Sequence, residues 1–164
     1  MKSGAVVIRP WQEGDFTLLA EAAPGLSART LYLRFRAGMP SLPATYLRST
    51  QQRWPARWDA VVAIVGDQLV GWAEFGRYID DPDRADIGMC VVDAEQGHGI
   101  GTALAAALLR HAREAGLVSV HADIEPDNDV ARRAWARATG SPGPTFALAH
   151  RPVRSTNRPP VAVA

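Results

Sequence analysis

The sequence has few of the residues that several common enzyme mechanisms require. Its 164 residues include one cysteine, Cys90, and one lysine, Lys2. A single cysteine excludes an intrachain disulfide and a cysteine-rich zinc site. A Schiff-base or phosphate-loop lysine would have to be Lys2, at the start of the chain. The four histidines lack His-Glu-x-x-His spacing, and no serine lies in a Gly-x-Ser-x-Gly motif. We therefore expect neither a metalloprotease nor a serine hydrolase, and no metal site.

Charge and hydropathy give no sign of a nucleic acid or membrane partner. The 18 cationic and 17 anionic side chains leave a net charge of +1, so no strong basic field exists. No run reaches the roughly 18 apolar residues of a membrane helix. The apolar run from Ala5 to Ile8 is too short for a signal peptide. We expect a cytoplasmic protein, and its 47% apolar residues are enough for the core of one domain.

Hydrophobic periodicity predicts an α/β domain over residues 1–150 and an irregular tail over 151–164, with at most a short last strand. The apolar run from Ala85 to Val92 is nearly continuous, which is typical of a central strand buried on both faces. Asp15 and Ser27 are the expected N-caps of two helices, and Asp127 or Asn128 is the expected start of a third, with Asn128 a natural N-cap. We predict strands at 5–9, 60–65, 68–76, 85–92, 117–122 and 145–149, and helices at 15–23, 28–35, 44–49, 99–115 and 128–139.

A glycine-rich turn joins the predicted central strand to the helix that begins at Gly99. Gly97, Gly99 and Gly101 let backbone N–H groups converge without side chains in the way. The helix dipole adds partial positive charge, so the turn predicts a phosphate or pyrophosphate site. The alternative is a plain strand-to-helix turn.

Two nucleotide-binding motifs compete for this turn. A phosphate loop is excluded because no Gly-Lys-Ser/Thr is present. A Rossmann fingerprint needs a third glycine where Thr102 stands. Asp123, however, lies where a ribose-binding acid is expected, so a Rossmann-type domain stays an alternative.

The turn also resembles a known family motif. Residues 96–101, Gln-Gly-His-Gly-Ile-Gly, match Q/R-x-x-G-x-G/A, the acyl-CoA pyrophosphate motif of the GNAT superfamily of N-acetyltransferases. Upstream, Ile8-Arg9-Pro10 with Asp15 and the segment 26–35 resemble a GNAT subgroup that includes protein-lysine acetyltransferases. The resemblance covers about residues 5–140. It implies a three-layer α/β/α fold whose mixed, mostly antiparallel sheet is splayed at the central strands, near Val92.

The resemblance implies direct transfer of an acetyl group from acetyl-CoA to a primary amine, on a small molecule or a protein lysine. It places the pyrophosphate on the glycine-rich turn and the pantetheine arm along the preceding strand. Asn128, the expected helix N-cap, would also contact the cofactor arm. A homodimer is a further family-based expectation. The implied cofactor-binding residues are Val91, Val92, Gln96, Gly97, His98, Gly99, Ile100, Gly101, Thr102 and Asn128.

The resemblance also implies the catalytic and acceptor-binding residues. Asp86 opens the predicted central strand, where many family members carry a glutamate, and is the first candidate base. Glu74 in the predicted hairpin is the second. For each carboxylate, the alternative is a solvated strand end. Tyr32, Arg34 and Phe35 lie on the helix that walls the acceptor cleft in the family, although an ordinary amphipathic helix would carry the same residues.

One departure from the family concerns the last helix. Asn128 and Ala131 fit the family's Asn-x-x-Ala-x-x-x-Tyr pattern, but Trp135 stands in place of the tyrosine that protonates the leaving thiolate. Indole is not a useful acid, and we expect Trp135 to pack in the core. Tyr32 or Tyr78 could replace the acid. Together with the aspartate at position 86, this departure keeps a non-catalytic acyl-CoA sensor or regulatory module as the alternative function.

Overall fold

The computed structural model describes residues 4–52, 54 and 56–148, in which six strands form one sheet in the order β1-β2-β3-β4-β5-β6. Neighbouring strands are antiparallel except β4 and β5, which are parallel. This mixed, mostly antiparallel order confirms the expected sheet and excludes the doubly wound parallel sheet of a Rossmann domain. The strands are β1 Val6–Pro10, β2 Trp58–Val65, β3 Gln68–Arg77, β4 Arg84–Val91, β5 Ser119–His121 and β6 Thr145–Ala147.

Five α-helices cover the two faces of the sheet, which confirms the expected three layers. They are α1 Asp15–Ala22, α2 Ala28–Phe35, α3 Ala44–Gln52, α4 Ile100–Glu114 and α5 Asp129–Thr139. The first three helices pack on one face through residues such as Leu19 and Leu31. The last two pack on the other face through Leu104, Leu108 and Trp135.

The central strands separate the two halves of the core. Alternate side chains of β2 point to opposite faces, as a pleated strand requires. Both sets are apolar and buried, because helices cover both faces. Val61, Ala63 and Val65 join the core under α4, whereas Ala60, Val62 and Ile64 join the core under α1.

Two of the predicted helix caps are confirmed and one is wrong. Ser27 Oγ accepts from Thr30 N at 3.2 Å, and Asn128 Oδ1 accepts from Ala131 N at 3.1 Å. Asp15 is not the N-cap of α1. It is the first residue inside the helix, where Arg9 binds it through two contacts of 2.7 Å. Gly14, at a φ of 92°, takes the cap position, because a left-handed backbone suits glycine.

The C-terminal part of the domain keeps the expected order of elements. Trp135 is buried and its Nε1 donates to Gly143 O at 2.7 Å, as expected of a core residue. β6 ends at Ala147, two residues before the predicted end. Residue 149 and the predicted tail at 151–164 lie outside the described residues. Within the described part of the chain, no helix is long and apolar enough to cross a membrane.

The Arg9–Asp15 pair predicts a measurable contribution to stability. Asp15 is 2% exposed, so replacing it with alanine leaves the Arg9 guanidinium without its partner. We expect Asp15→Ala to lower the free energy of unfolding by ~2 kcal/mol in a urea titration. The control is Asp80→Ala in the exposed β3–β4 loop. Equal unfolding midpoints for the two variants would contradict the prediction.

Candidate active site

The sheet opens on one side of β4. Among the described residues, β5 pairs only with Arg84, Ala85 and Asp86 of β4. β3 continues alongside β4, and Val92 N donates to Val70 O at 2.9 Å. This register puts Met89 and Val91 at non-hydrogen-bonded positions opposite β3. Their backbone N–H and C=O groups therefore point away from β3, into the gap. We call the β4 segment 87–91 the open edge.

Two adjoining cavities lie along the open edge. The cofactor cleft, about 380 Å³, runs between α2, the glycine-rich turn and the start of α5. The inner cavity, about 230 Å³, lies between β4 and the end of β5 and contains Asp86. The two cavities adjoin, because five residues line both: Leu33, Arg34, Met89, Asn128 and Ala131.

The glycine-rich turn ends in an uncapped helix N-terminus. Gly97 and Gly99 both have a φ of 81°, a conformation that side chains disfavour. Gly99 is the N-cap of α4 and has no side chain to accept from the first turn. The N–H groups at the start of α4 are therefore available to an anion. The His98 side chain is exposed.

Six of the ten sequence-predicted cofactor residues line the cofactor cleft: Val91, Gln96, Gly97, Ile100, Gly101 and Asn128. Val92, His98, Gly99 and Thr102 line neither cavity. The expectation for Val92 needs correction, because its N–H is already bonded to β3. Met89, which sequence reasoning missed, has the outward-facing backbone instead. Only the strand register distinguishes the two, and the sequence does not show it.

The Gln96 side chain fixes the glycine-rich turn through hydrogen bonds. Its Nε2 donates to Val91 O at 3.0 Å and to Thr30 Oγ1 at 3.3 Å. These bonds tie the turn to the end of β4 and to the first turn of α2. Gln96 therefore shapes the cofactor cleft through the backbone that it fixes.

Asp93 makes a second connection between the turn and α2. Its Oδ1 accepts from Thr30 Oγ1 at 2.8 Å and from Ser27 N at 3.2 Å. Burial raises the pKa of Asp93, but the hydrogen bonds from Ser27 and Thr30 lower it by more, so the pKa lies below its ordinary value. Sequence reasoning missed this pair, because no local pattern links residues 63 positions apart.

Asp86 is exposed, lines the inner cavity and accepts a hydrogen bond from the Tyr78 hydroxyl. This bond raises the pKa of Tyr78 above its ordinary value, so Tyr78 is a weaker acid than a free tyrosine. The other possible acid, Tyr32, is exposed and lines neither cavity. On β5, His121 is the register partner of Asp86. Its Nδ1 lies 3.0 Å from Thr145 Oγ1.

Glu74, the second candidate base, is buried and lines neither cavity. Its Oε1 accepts from Arg34, and its Oε2 accepts from Tyr46 Oη at 2.8 Å and Trp58 Nε1 at 2.7 Å. Burial, and then the neighbouring Glu74 charge, raise the pKa of Tyr46 well above its ordinary value. A carboxylate held by three donors is poorly placed to take a proton from a substrate. Glu74 therefore serves as an anchor for its neighbours.

The three predicted acceptor-wall residues differ in position. Arg34 lines both cavities, and its guanidinium rests on Gly88 of β4, where a methyl group would collide with it. Phe35 packs edge-on against Tyr46, with ring centroids 5.1 Å apart, and Tyr32 faces outward. Of the three, only Arg34 is in position to reach a bound molecule.

Two further observations concern metals and thiols. In the described ranges, no group of three or more His, Cys, Asp or Glu side chains could hold a metal ion. Burial raises the pKa of Cys90 to about 12. The Cys90 thiol is therefore protonated at neutral pH and unsuited to act as a nucleophile.

The lowered pKa of Asp93 predicts a pH-dependent contribution to stability. This contribution is fully present above the ordinary carboxyl pKa and is lost as the pH falls through the lower pKa of the folded state. We expect Asp93→Asn to lower Tm by about 1–2 °C at pH 7, because exposed charges are screened. The difference from the unsubstituted protein should shrink towards pH 3. Asp67→Asn, in the exposed β2–β3 turn, is the control, and a difference that persists at pH 3 would refute the charge argument.

Comparison with known proteins places this site in a family. The Acetyltransferase (GNAT) family matches residues 27–140, more than two thirds of the chain. The GNAT domain of S. lividans PAT superposes with a TM-score of 0.74 and 23% identity, covering 82% of this chain and 86% of that one.

Two further solved structures share the fold. For yncA from Salmonella typhimurium, solved with its cofactor acetyl-CoA, the TM-score is 0.65 at 21% identity, covering 79% of this chain and 76% of that one. For diaminobutyrate acetyltransferase EctA from Paenibacillus lautus, solved with L-2,4-diaminobutyric acid and coenzyme A, the TM-score is 0.62 at 18% identity. The match covers 84% of this chain and 76% of that one. In the present chain, the α4 N-terminus is uncapped and the β4 edge is open. Together with the family match over residues 27–140, these features show that this chain belongs to the GNAT acetyltransferase family.

Proposed function

We propose that this protein is an N-acetyltransferase that moves the acetyl group of acetyl-CoA to a primary amine, on a small molecule or a protein lysine, by direct attack. One observation carries the proposal: the uncapped N-terminus of α4, the open edge of β4 and the Asp86 carboxylate lie along two adjoining cavities. Anion site, strand edge and base then occur in the order in which pyrophosphate, pantetheine and acetyl group occur in acetyl-CoA.

Each part of acetyl-CoA meets groups of fitting chemistry. The backbone N–H groups at the start of α4 would hold the pyrophosphate. The outward-facing backbone of Met89 and the Val91 N–H would pair with the amide groups of pantetheine as a neighbouring strand does, while Gln96 occupies the Val91 carbonyl. Asn128 Oδ1 caps α5, which leaves the Nδ2 amide to donate to the cofactor arm.

Asp86 is the residue best placed to accept the proton of the amine. An alkylammonium ion has a pKa of ~10, so the acceptor must lose a proton before its nitrogen can attack. The Asp86 carboxylate opens into the inner cavity, and the Tyr78 hydroxyl fixes one of its oxygens. The Trp135 indole donates to Gly143 O, so the leaving thiolate would take its proton from solvent rather than from the last helix.

A non-catalytic acyl-CoA sensor is the second candidate. It is favoured by the indole at position 135, which replaces the usual acid, and by an aspartate where the family often has glutamate. A sensor would bind acetyl-CoA and release no thiol with any amine. An enzyme would release coenzyme A in proportion to acetylated amine. A screen of amines and lysine peptides with a thiol-detecting reagent separates the two functions.

Replacement of the candidate base tests the enzymatic role directly. We expect Asp86→Asn to lower kcat by ~10²–10⁴-fold, because the amide cannot accept the proton. The Kd for acetyl-CoA, measured by isothermal titration, should stay within about twofold, which is ~0.4 kcal/mol of binding free energy. The reason is that Asp86 lines the inner cavity and not the cofactor cleft. Asp83→Asn, in the exposed β3–β4 loop, is the control and should retain full activity. Full activity of Asp86→Asn would remove Asp86 from the mechanism.

Gly101 offers a test of the pyrophosphate site with opposite effects on stability and binding. A Cβ at Gly101 has room, since Met89 Cε at 3.7 Å is its only contact within 4 Å among the described residues, but it would project into the cofactor cleft. Alanine favours the helix, so we expect Gly101→Ala to raise stability by ~0.5 kcal/mol. It should weaken acetyl-CoA binding by about tenfold or more, because the methyl group hinders the approach of the phosphates. His98→Ala removes only an exposed ring and should bind normally. Unchanged affinity in Gly101→Ala would place the pyrophosphate elsewhere.

A further inference from the structure

Arg34 lies where the two cavities meet. Of the five residues that line both, it is the only one with a charge. Its guanidinium reaches the sheet at Gly88, because glycine leaves the space that a side chain would fill. Met89, with its outward-facing backbone, follows directly in β4. The guanidinium is thus beside the segment of the open edge that joins the cofactor cleft to the inner cavity.

A buried cluster holds this guanidinium in one position. Arg34 donates to Glu74, and Tyr46 and Trp58 hold the other carboxylate oxygen. Tyr46 Oη also accepts from Trp72 Nε1 at 2.8 Å. The Arg34 Cζ lies 4.8 Å from the centroid of the Phe35 ring. Burial lowers the pKa of Arg34, but the Glu74 charge and the other neighbouring groups raise it by more. The pKa therefore lies above its ordinary value, and the guanidinium stays protonated.

One polar atom of this cluster has no partner. Arg34 Nε is buried, and among the described residues it is the only buried side-chain N or O atom without a hydrogen bond. A buried N–H without an acceptor costs about 1–3 kcal/mol. Because Nε is buried, a molecule in the adjoining cavities meets the Nη groups of the guanidinium rather than Nε.

We propose that Arg34 is an electrophilic catalytic residue whose guanidinium stabilises the carbonyl oxygen of the acetyl thioester. The inference rests on the proposed function and adds a residue to it. A pantetheine arm that extends from the cofactor cleft towards Asp86 lies along the residues shared by both cavities, among which Arg34 has the only charge. Donors fixed in advance near a reacting carbonyl stabilise the transition state most, because they need no reorganisation during the reaction.

The reaction step gives this donor its purpose. The nitrogen lone pair of the amine forms the C–N bond, and the carbonyl π electrons move to oxygen. The positive guanidinium stabilises that negative oxygen. The electrons then return, the C–S bond breaks and coenzyme A leaves as its thiolate. The amine enters this step neutral, after its ammonium proton has passed through Asp86 to solvent. The proton left on nitrogen after the attack then passes to the freed Asp86 carboxylate, and the thiolate takes a proton from solvent.

The test separates this role from packing by removing both partners of the buried pair. Arg34→Met alone leaves the Glu74 carboxylate buried without its cation and should lower Tm. Arg34→Met with Glu74→Gln removes both charges and should recover most of that loss, because no uncompensated charge remains. Arg34→Lys keeps a cation for Glu74 but removes the planar guanidinium. Arg48→Met, on the exposed side of α3, is the matched control.

Two measurements are made on each variant. We expect kcat to fall by ~10²–10³-fold in both the double variant and Arg34→Lys, with the KM for the amine within about threefold. The infrared band of the carbonyl in bound [1-¹³C]acetyl-CoA should lie at lower frequency in the unsubstituted protein than in either variant. A merely structural Arg34 would not move this band, and recovery of kcat together with Tm would overturn the proposal.

The infrared measurement also separates this proposal from the proposed function. If no amine is acetylated but the bound carbonyl is polarised and loses that polarisation in Arg34→Lys, amine transfer fails and the Arg34 contact stands. If amines are acetylated and the band is the same with lysine, the Arg34 proposal fails and the function stands. If the unsubstituted protein does not bind acetyl-CoA, both are overturned.

Discussion

The early end of the pairing between β4 and β5 is the constraint on which the site depends. Three residue pairs join these strands, and the remainder of β4 has β3 on one side and the two cavities on the other. Backbone N–H and C=O groups away from water must find partners, so an edge left open inside a domain is costly unless something binds to it. The open edge of β4 is thus the part of the sheet that is able to pair with a bound molecule.

Helix α2 provides one wall of both cavities, and side-chain bonds fix it in place. Thr30 binds the glycine-rich turn through Asp93, and Arg34 reaches Glu74 on β3 across the glycine at position 88. At the far end of the helix, Arg36 pairs with Asp123, at 3.5 Å, and with Glu125 in the segment between β5 and α5. α2 therefore connects the turn, the sheet and the β5–α5 segment around the cavities. Fixing these parts before a substrate binds reduces the entropy that a reaction must otherwise lose.

The sequence and the structure agree on elements and disagree on several contacts. Hydrophobic patterning found the six strands and five helices, because period and caps depend on residues close in the chain. The contacts of Asp15 and Glu74 did not follow. A carboxylate at a helix start is usually a cap, yet Asp15 is buried and accepts hydrogen bonds from the Arg9 guanidinium. A carboxylate in a hairpin is usually solvated, yet Glu74 meets three donors from α2, α3 and β2.

The sequence by itself determined the glycine-rich turn, the helix that follows it and the central position of β4. These features depend on contiguous residues: glycines at 97 and 99 permit the left-handed backbone, and a nearly continuous apolar run requires burial on both faces. Only the tertiary structure decided that Met89 rather than Val92 faces the gap, that Tyr78 binds Asp86, and that Arg34 stands between the cavities. The register between β3 and β4 sets the first two contacts, and the packing of α2 sets the third. Arg34 and Glu74 are 40 positions apart, so their pairing leaves no pattern in the local sequence.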